Sequence, residues 1–316
     1  MKLKKKYSLE EISSKYGCKI LGDNETTFEY VSSIFNIKDN AIAYINDIKN
    51  ISDIENTKLA CVITNSSIAP MIKIPVVVYD NPQLLFIKII KESYDPSNSS
   101  MFSSEIDPCN TIDKSVVMGI NSVIGTNVKI GKSSILYPNV TIHDNTVIGE
   151  NVIIQSGSVI GSDGFGLIED SGCWIKVPHI GNVIIGNNVE IGANTTIDKG
   201  TIDSTMILDN VKIDNLVHVA HNVKIGKNTA IAACVGIAGS TTIGSNCTIG
   251  GGSGLNGHID ICDNVHIHGM TMVTKSIKEP GLYASGTTVE PANSWRKNQA
   301  RFKELDAIVK LIKKKT

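Results

Sequence analysis

ILDNVKIDNLVHVAHNVKIGKNTAIAACVGIAGSTTIGSNCTI, residues 207–249, carries an aliphatic side chain at every sixth position: Ile207, Ile213, Val219, Ile225, Ile231, Ile237, Ile243 and Ile249. Four places after each of the first seven stands a compact residue, Val211, Val217, Val223, Thr229, Val235, Thr241 and Cys247. An amphipathic helix would repeat near 3.6 residues and a half-buried strand near two. A period of six is one short strand plus one tight corner, repeated. Followed outward, the register runs on through Leu255, Ile261 and Ile267 to Val273. It begins at Ile112 and passes Met118, Ile124, Ile130, Leu136, Ile142, Ile148, Ile154 and Ile160; after a break it resumes at Ile185, Ile191 and Ile197, then slips by four residues. Taken three to a coil of 18 residues, these 24 hexads predict about eight coils of a triangular prism, roughly 35 to 40 Å long at a strand spacing of ~4.8 Å. Glycine often follows the aliphatic residue, as at Gly119, Gly125, Gly226 and Gly244. The expected reason is a corner that needs positive φ.

Composition agrees with thin repeated layers: of 316 residues only 5% are aromatic while 27 are Gly. The fold class is therefore mainly β, a parallel β-helix of hexapeptide repeats over residues 101–277, with a small α/β domain before it and a helix after it. Residues 1–100 lack the period; Ser8 and Glu11 make a capping box for a short helix that ends near Gly17. LACVIT (59–64) and IPVVVYD (74–80) read as buried strands. Residues 278–316 are a Pro/Gly-rich connector and a helix in which Phe302, Leu305, Val309 and Ile312 form an apolar stripe, expected to pack on the prism or on another copy. Residues 162–184 (SDGFGLIEDSGCWIKVPHIGNVI) leave the register, and a long excursion on a regular scaffold is where sites are built.

The net charge of -1 with lysines gathered at both ends argues against whole-surface nucleic-acid binding. No run of about 18 apolar residues predicts a membrane span, and the N-terminal lysines are followed by YSLEEISSKYG rather than an apolar segment. Seven scattered cysteines without a C-x-x-C pair read as free thiols in a reducing compartment, so a cytoplasmic protein is expected. GSGLNG (252–257) and GTNVKIGKS (125–133) imitate phosphate loops, but the first precedes no helix and the second has five residues between its glycines where the motif has four. His266 and His268 share one side of a strand; with no third ligand evident nearby, they are read as surface residues and no metal is expected.

The register places the remaining histidines. His221 lies two residues after Val219 and His258 three after Leu255, and those aliphatics are 36 residues, two coils, apart. Both histidines therefore sit at one corner, roughly 10 Å apart along the axis. Gly239, 18 residues after His221, stacks directly upon it, so that its N–H faces the same cleft. His218 falls on the preceding strand, outside this arrangement. A base, an N–H donor and a second histidine on one edge suit acyl transfer. From geometry alone a polar corner column reads equally well as solvent-facing decoration.

The [Ile/Val]-Gly-x-x-[Ser/Thr/Val]-x repeat resembles the hexapeptide acyltransferases, which implies a left-handed helix and a homotrimer. More specifically, IQSGSVIGSDGFG (154–166), GNVIIGNNVEIGANTTIDKGTIDST (181–205), IDNLVHVAHNVKIGKNTAIAACVGIAGS (213–240), NGHIDICDNV (256–265) and SGTTVEPANSWRK (285–297) resemble the UDP-3-O-acylglucosamine N-acyltransferases of lipid A synthesis. So do GDNE (22–25), NDIKN (46–50), TKLACVIT (57–64) and YDNPQLLFIKII (79–90). The resemblance implies transfer of a 3-hydroxyacyl chain from acyl carrier protein to the 2-amino group of a UDP sugar. By the same resemblance His221 is the general base, Asp214 the acid that orients it, Gly239 the oxyanion donor and His258 a second active-site histidine. Asn215, Asp163 and Phe165 would line the cleft for sugar and pantetheine, and Met272 would stop the acyl chain. No resident cofactor is implied, since 4'-phosphopantetheine arrives on the carrier protein.

One stretch departs from the family. Where a Phe-x-x-Asn-x-Lys-Tyr segment is expected to sandwich uracil, this chain has Tyr44, Asp47, Lys49 and Asn50, losing one aromatic and gaining a charge. That leaves open a paralogue acting on another nucleotide-linked amino sugar, beside the remoter reading of a non-catalytic trimeric scaffold. The C-terminal lysines Lys310, Lys313, Lys314 and Lys315 read either as steering for an acidic carrier protein or as the usual cations of a helix C-terminus.

Overall fold

A computed structural model describes residues 1–52, 54, 57–95, 101, 107–286 and 288–313. The N-terminal domain is a six-stranded sheet with strands β1 (Lys2–Ser8), β2 (Lys19–Leu21), β3 (Thr27–Val31), β4 (Ala41–Tyr44), β5 (Cys61–Thr64) and β6 (Val76–Val78) in the order β1-β3-β4-β5-β6-β2. The central pairings β3/β4, β4/β5 and β5/β6 are parallel, and both edges are antiparallel. Helices α1 (Leu9–Tyr16) and α2 (Pro82–Ser93) belong to this domain. The expected cap is present: Ser8 Oγ accepts from the Glu11 N–H and Glu11 Oε2 accepts from the Ser8 N–H, both at 3.2 Å, and Gly17 ends α1 at φ 64°. Leu85, Phe86, Ile89 and Ile90 of α2 join Phe28, Val31, Ile42, Ile63 and Val77 in its core.

The hexads build three parallel sheets of eight strands each, the second extended to nine by Gly281–Tyr283 of the connector. The first face begins at Thr111–Ile112, the second at Val117–Met118 and the third at Val123–Ile124. Each short strand pairs with the strand one coil on, as Ile130 with Ile148 and Val219 with Ile237. The aliphatic position points inward on nearly every strand, and the residue four places on fills the interior between layers. Ile207, Val211, Val219, Val223, Ile225 and Cys247 are all fully buried. Burying such side chains at about 1.5–3 kcal/mol each is what holds the column together.

The corners correct one expectation. The non-glycine residues with positive φ are chiefly asparagines three places beyond the inward aliphatic, including Asn127, Asn145, Asn210, Asn228 and Asn246, at φ 53° to 60°. Asparagine tolerates the left-handed region because its short amide bonds locally, and here the amides bond up the column, Asn210 to Asn228 at 2.8 Å and Asn228 to Asn246 at 3.2 Å. Glycine answers a different need. A Cβ on Gly226 would stand 2.4 Å from the Gly244 carbonyl carbon of the next coil. Close approach of backbone to backbone, and not left-handed φ, selects glycine there.

The excursion returns as an antiparallel hairpin, Leu167–Asp170 with Cys173–Lys176. Lys88 of α2 reaches Asp170 at 2.9 Å, and Ile180 and Ile202 pack against the N-terminal core, so the hairpin joins the two domains. Helix α3 (Ala292–Lys313) has no buried residue, and Phe302, Leu305, Val309 and Ile312 are exposed along it. Lys310 pairs with Asp306 at 2.6 Å; Lys314 and Lys315 lie outside the described residues.

Candidate active site

His221 follows the third-face strand His218–Val219, at the corner where the chain turns to the first face. Its Nδ1 lies 3.1 Å from Asn222 Oδ1. The same oxygen accepts from the N–H and the hydroxyl of Thr201, each at 3.0 Å. The Thr201 N–H can only donate, which fixes that Asn222 atom as the oxygen and assigns the proton to His221 Nδ1. In the neutral ring Nε2 then carries the lone pair, the form a general base needs.

Gly239 stacks on this ring as the register requires. A Cβ there would lie 2.7 Å from both Nε2 and Cε1 of His221. Ala238 and Ser240 use their N–H groups between coils, to Leu255 O at 3.0 Å and His221 O at 2.9 Å, whereas the Gly239 N–H has no acceptor among the described residues. His258 stands one coil higher on the same corner, exposed, its N–H donating to Gly239 O at 3.1 Å and its φ at 58°.

Asp214 does not join them within one chain. It follows the second-face strand Lys212–Ile213, and its carboxylate accepts from the Asn215 N–H at 2.7 Å. With Glu190, Lys212, Ala230, Ala232 and Gly250 it lines a groove of about 500 Å³ on the second face. Asn215 shares that corner, its Oδ1 accepting from the Ala193 N–H at 2.6 Å. The reason is the register: Asp214 and His221 are seven residues apart, one hexad plus one, so they occupy successive corners. The carboxylate whose charge reaches His221 is Asp198, 6% exposed, which accepts from Ser162 Oγ at 2.9 Å. Burial pushes the Asp198 carboxyl above its ordinary range, opposed by Ser162, His218 and His221. His218 is drawn in through it, with Nε2 3.7 Å from Asp198 Oδ2 and Nδ1 2.8 Å from Thr196 Oγ1.

The excursion covers the lower side of this corner. Asp163 lies between Lys176 Nζ at 2.6 Å and Lys199 Nζ at 2.9 Å. Burial would raise its carboxyl, but the two ammonium groups outweigh that and hold it below the ordinary range. Phe165 is 88% exposed. Met272 ends the third face, also exposed. The sequence reading missed His179. It is buried, its Nδ1 lies 3.1 Å from the Val177 carbonyl, and its ring meets that of His221 edge-to-face with centroids 5.3 Å apart. Burial lowers its pKa to about 4. Residues off the register announce no neighbours, and so no spacing could have found it.

In the N-terminal domain Tyr44 is half-buried and packs against Phe86, ring centroids 5.0 Å apart. Asp47 caps the single turn Ile48–Asn50 by accepting from the Lys49 N–H at 3.0 Å, and the Lys49 side chain is exposed. Among the described residues no helix is long and apolar enough to cross a membrane.

A prism of hexads with an imidazole beside a free N–H is the architecture of the hexapeptide-repeat acyltransferases. The family profile "Bacterial transferase hexapeptide (six repeats)" matches residues 127–162 and 204–239, and "Hexapeptide repeat of succinyl-transferase" matches 182–215 and 240–275. A UDP-3-O-acylglucosamine N-acyltransferase of Coxiella burnetii is 41% identical over 98% of this chain and 96% of its own length. One from Hahella chejuensis is 39% identical over 48% of this chain and 44% of its own. The chain belongs to the UDP-3-O-acylglucosamine N-acyltransferase family. Among solved structures, the UDP-N-acetylglucosamine acyltransferase of Francisella novicida superposes with TM-score 0.52 at 28% identity, covering 56% of this chain and 63% of that one. A second structure of that name reaches 0.53 at 28% identity, over 67% and 81%.

Proposed function

We propose that this acyltransferase moves a 3-hydroxyacyl chain from the phosphopantetheine thiol of acyl carrier protein to the 2-amino group of UDP-3-O-acylglucosamine, as a homotrimer in the cytoplasm. The observation that carries this reading is the His221 imidazole, its Nδ1–H committed to Asn222 and its Nε2 opening beside Gly239. The sugar's amine attacks the thioester carbonyl while Nε2 removes its proton. The oxyanion that forms takes the Gly239 N–H, and the thiolate departs carrying the bonding pair. A base and an oxyanion donor supply what attack of an amine on a thioester requires, so no resident cofactor enters the proposal. Asp163, Phe165 and Asn215 are proposed to line the sugar and pantetheine cleft, with Met272 limiting the acyl chain. Asp198 takes the supporting role expected of Asp214, because its charge lies on the base's own corner.

A second reading, transfer to another nucleotide-linked amino sugar, is favoured by one observation. Asp47 spends a carboxylate oxygen on its own turn and Tyr44 lies against Phe86, so this edge differs from a two-aromatic uracil clamp. The test is transfer from a panel of 3-hydroxyacyl carrier proteins to UDP-3-O-acylglucosamine, read by mass spectrometry. One new amide-linked chain is expected, with His221→Ala losing ~10² to 10⁴ in rate. A folded protein inert toward this acceptor but active with another UDP- or dTDP-amino sugar would establish the second reading instead.

A further inference from the structure

His179 has no role in the mechanism above, yet its surroundings are specific. It is fully buried, its Nδ1 is 3.1 Å from the Val177 carbonyl, and its Nε2 has no hydrogen-bond partner among the described residues. A carbonyl oxygen only accepts, so the proton is on Nδ1 and Nε2 presents a bare lone pair. A buried acceptor left without a donor is unfavourable, so its orientation calls for an explanation. A Cβ added to Gly164 would touch both rings. That single point is 2.9 Å from His179 Nε2, 2.9 Å from His221 Cδ2 and 3.0 Å from His221 Cβ. Nε2 and one edge of the His221 ring therefore border the same small space, kept open by Gly164.

We propose that His179 is a positioning residue for the base: its neutral imidazole holds the His221 ring edge-to-face and turns the negative end of its dipole toward the ring that becomes cationic in the reaction. This rests on His221 being the base. When His221 takes the amine proton its C–H edges become more positive, and an uncharged acceptor beside them stabilises that state without adding a competing proton. His179 must itself stay neutral, and burial, with Lys199 and His221 nearby, keeps it so, although the Asp163 carboxylate pulls the other way. The other charged groups around the pair are fixed in ion pairs or hydrogen bonds. Lys176 and Lys199 bracket Asp163, while Asp198 is bonded to Ser162 and faces His218. His143 stands below them, its pKa lowered by burial and by Lys199.

The test uses the full chain with labelled histidine and the variants His179→Phe and His179→Gln. Phe keeps an aromatic edge and removes the acceptor, whereas Gln restores one. In the parent, nitrogen shifts should report His179 Nε2 as unprotonated from pH 5 to 9; a His179 ring that titrates near neutrality, or carries its proton on Nε2, overturns the proposal without any variant. In His179→Phe the His221 titration midpoint and the acidic limb of kcat/KM should both move down by roughly half a pH unit. The kcat/KM plateau should fall about tenfold, with the Gln variant returning toward the parent. Removing a stabiliser of the cation favours the neutral ring, hence the downward direction. Lost activity with the midpoint unmoved means packing alone and refutes the dipole. The titration needs no turnover, so an inert parent would count against the acyl-transfer reading while this measurement still stands on its own.

Discussion

Substituting Gly239 by alanine separates catalysis from folding. The added Cβ would meet His221 Nε2 and Cε1 at 2.7 Å and Cδ2 at 3.2 Å, with no backbone atom among its three nearest neighbours. Gly239 is not among the residues with positive φ, so alanine fits the backbone. Ordinary contact begins near 3.4 Å, so the ring must retreat by about 0.7 Å (3.4 less 2.7). A side chain at a corner can swing that far for about 1 kcal/mol, at the low end of overpacking costs. The reaction is less forgiving, because Nε2 leaves its aligned position and the methyl group stands beside the oxyanion donor. Misplacement by about 1 Å costs on the order of 10²-fold, equal to about 2.7 kcal/mol of transition-state stabilisation at ~1.36 kcal/mol per tenfold. Initial rates with saturating acyl carrier protein should therefore show kcat/KM down about 100-fold, while urea unfolding shifts by no more than about 1 kcal/mol. An alanine variant within threefold of the parent would refute the placement of Nε2 beside Gly239. So would one that lost stability in proportion to activity.

Two further substitutions probe the scaffold. Gly226→Ala puts a Cβ 2.4 Å from the Gly244 carbonyl carbon and 2.5 Å from the Ser245 nitrogen, where only backbone can yield; unfolding free energy should fall by about 2 kcal/mol or more, read by urea titration. His179 links stability to pH. Its pKa is lowered from 6.5 to about 4 in the fold, so the unfolded chain binds the extra proton first and stability declines as pH falls from 6.5 toward 4. A gap of 2.5 units (6.5 less 4) amounts to about 3 kcal/mol, and His179→Gln should flatten that part of the pH–stability curve. A variant with the parent's slope would show that other groups govern it.

The prism was legible because each hexad makes its own choice. An aliphatic every six residues and a small residue four places later decide what faces inward without reference to distant parts of the chain. From that period alone came the coils, the three faces and the column that sets Gly239 on His221. It also contained the relation that separates Asp214 from His221, since corners recur after whole coils, 18 residues each or 22 across the slip, and seven residues is one hexad plus one. Asp198 was reachable by the same arithmetic, lying 22 residues before Ala220. The Ser8–Glu11 cap was readable for a similar reason, being complete within four residues.

What the sequence by itself determined, then, is whatever repeats or closes locally: the β-helix, the corner that His221 occupies and the capped first helix. Tertiary structure alone decided three things. Glycine at positions such as Gly226 is selected by the next coil's backbone and not by φ, a distinction invisible in sequence because both demands choose the same residue. The tautomer of His221 is set by Thr201, which fixes the Asn222 amide from across a coil. His179 reaches His221 only because the aperiodic hairpin is folded back between prism and N-terminal domain, with Lys88 on Asp170 at its far end. A path determined by packing against two surfaces leaves no period behind it, so no reading of spacing could have placed that ring.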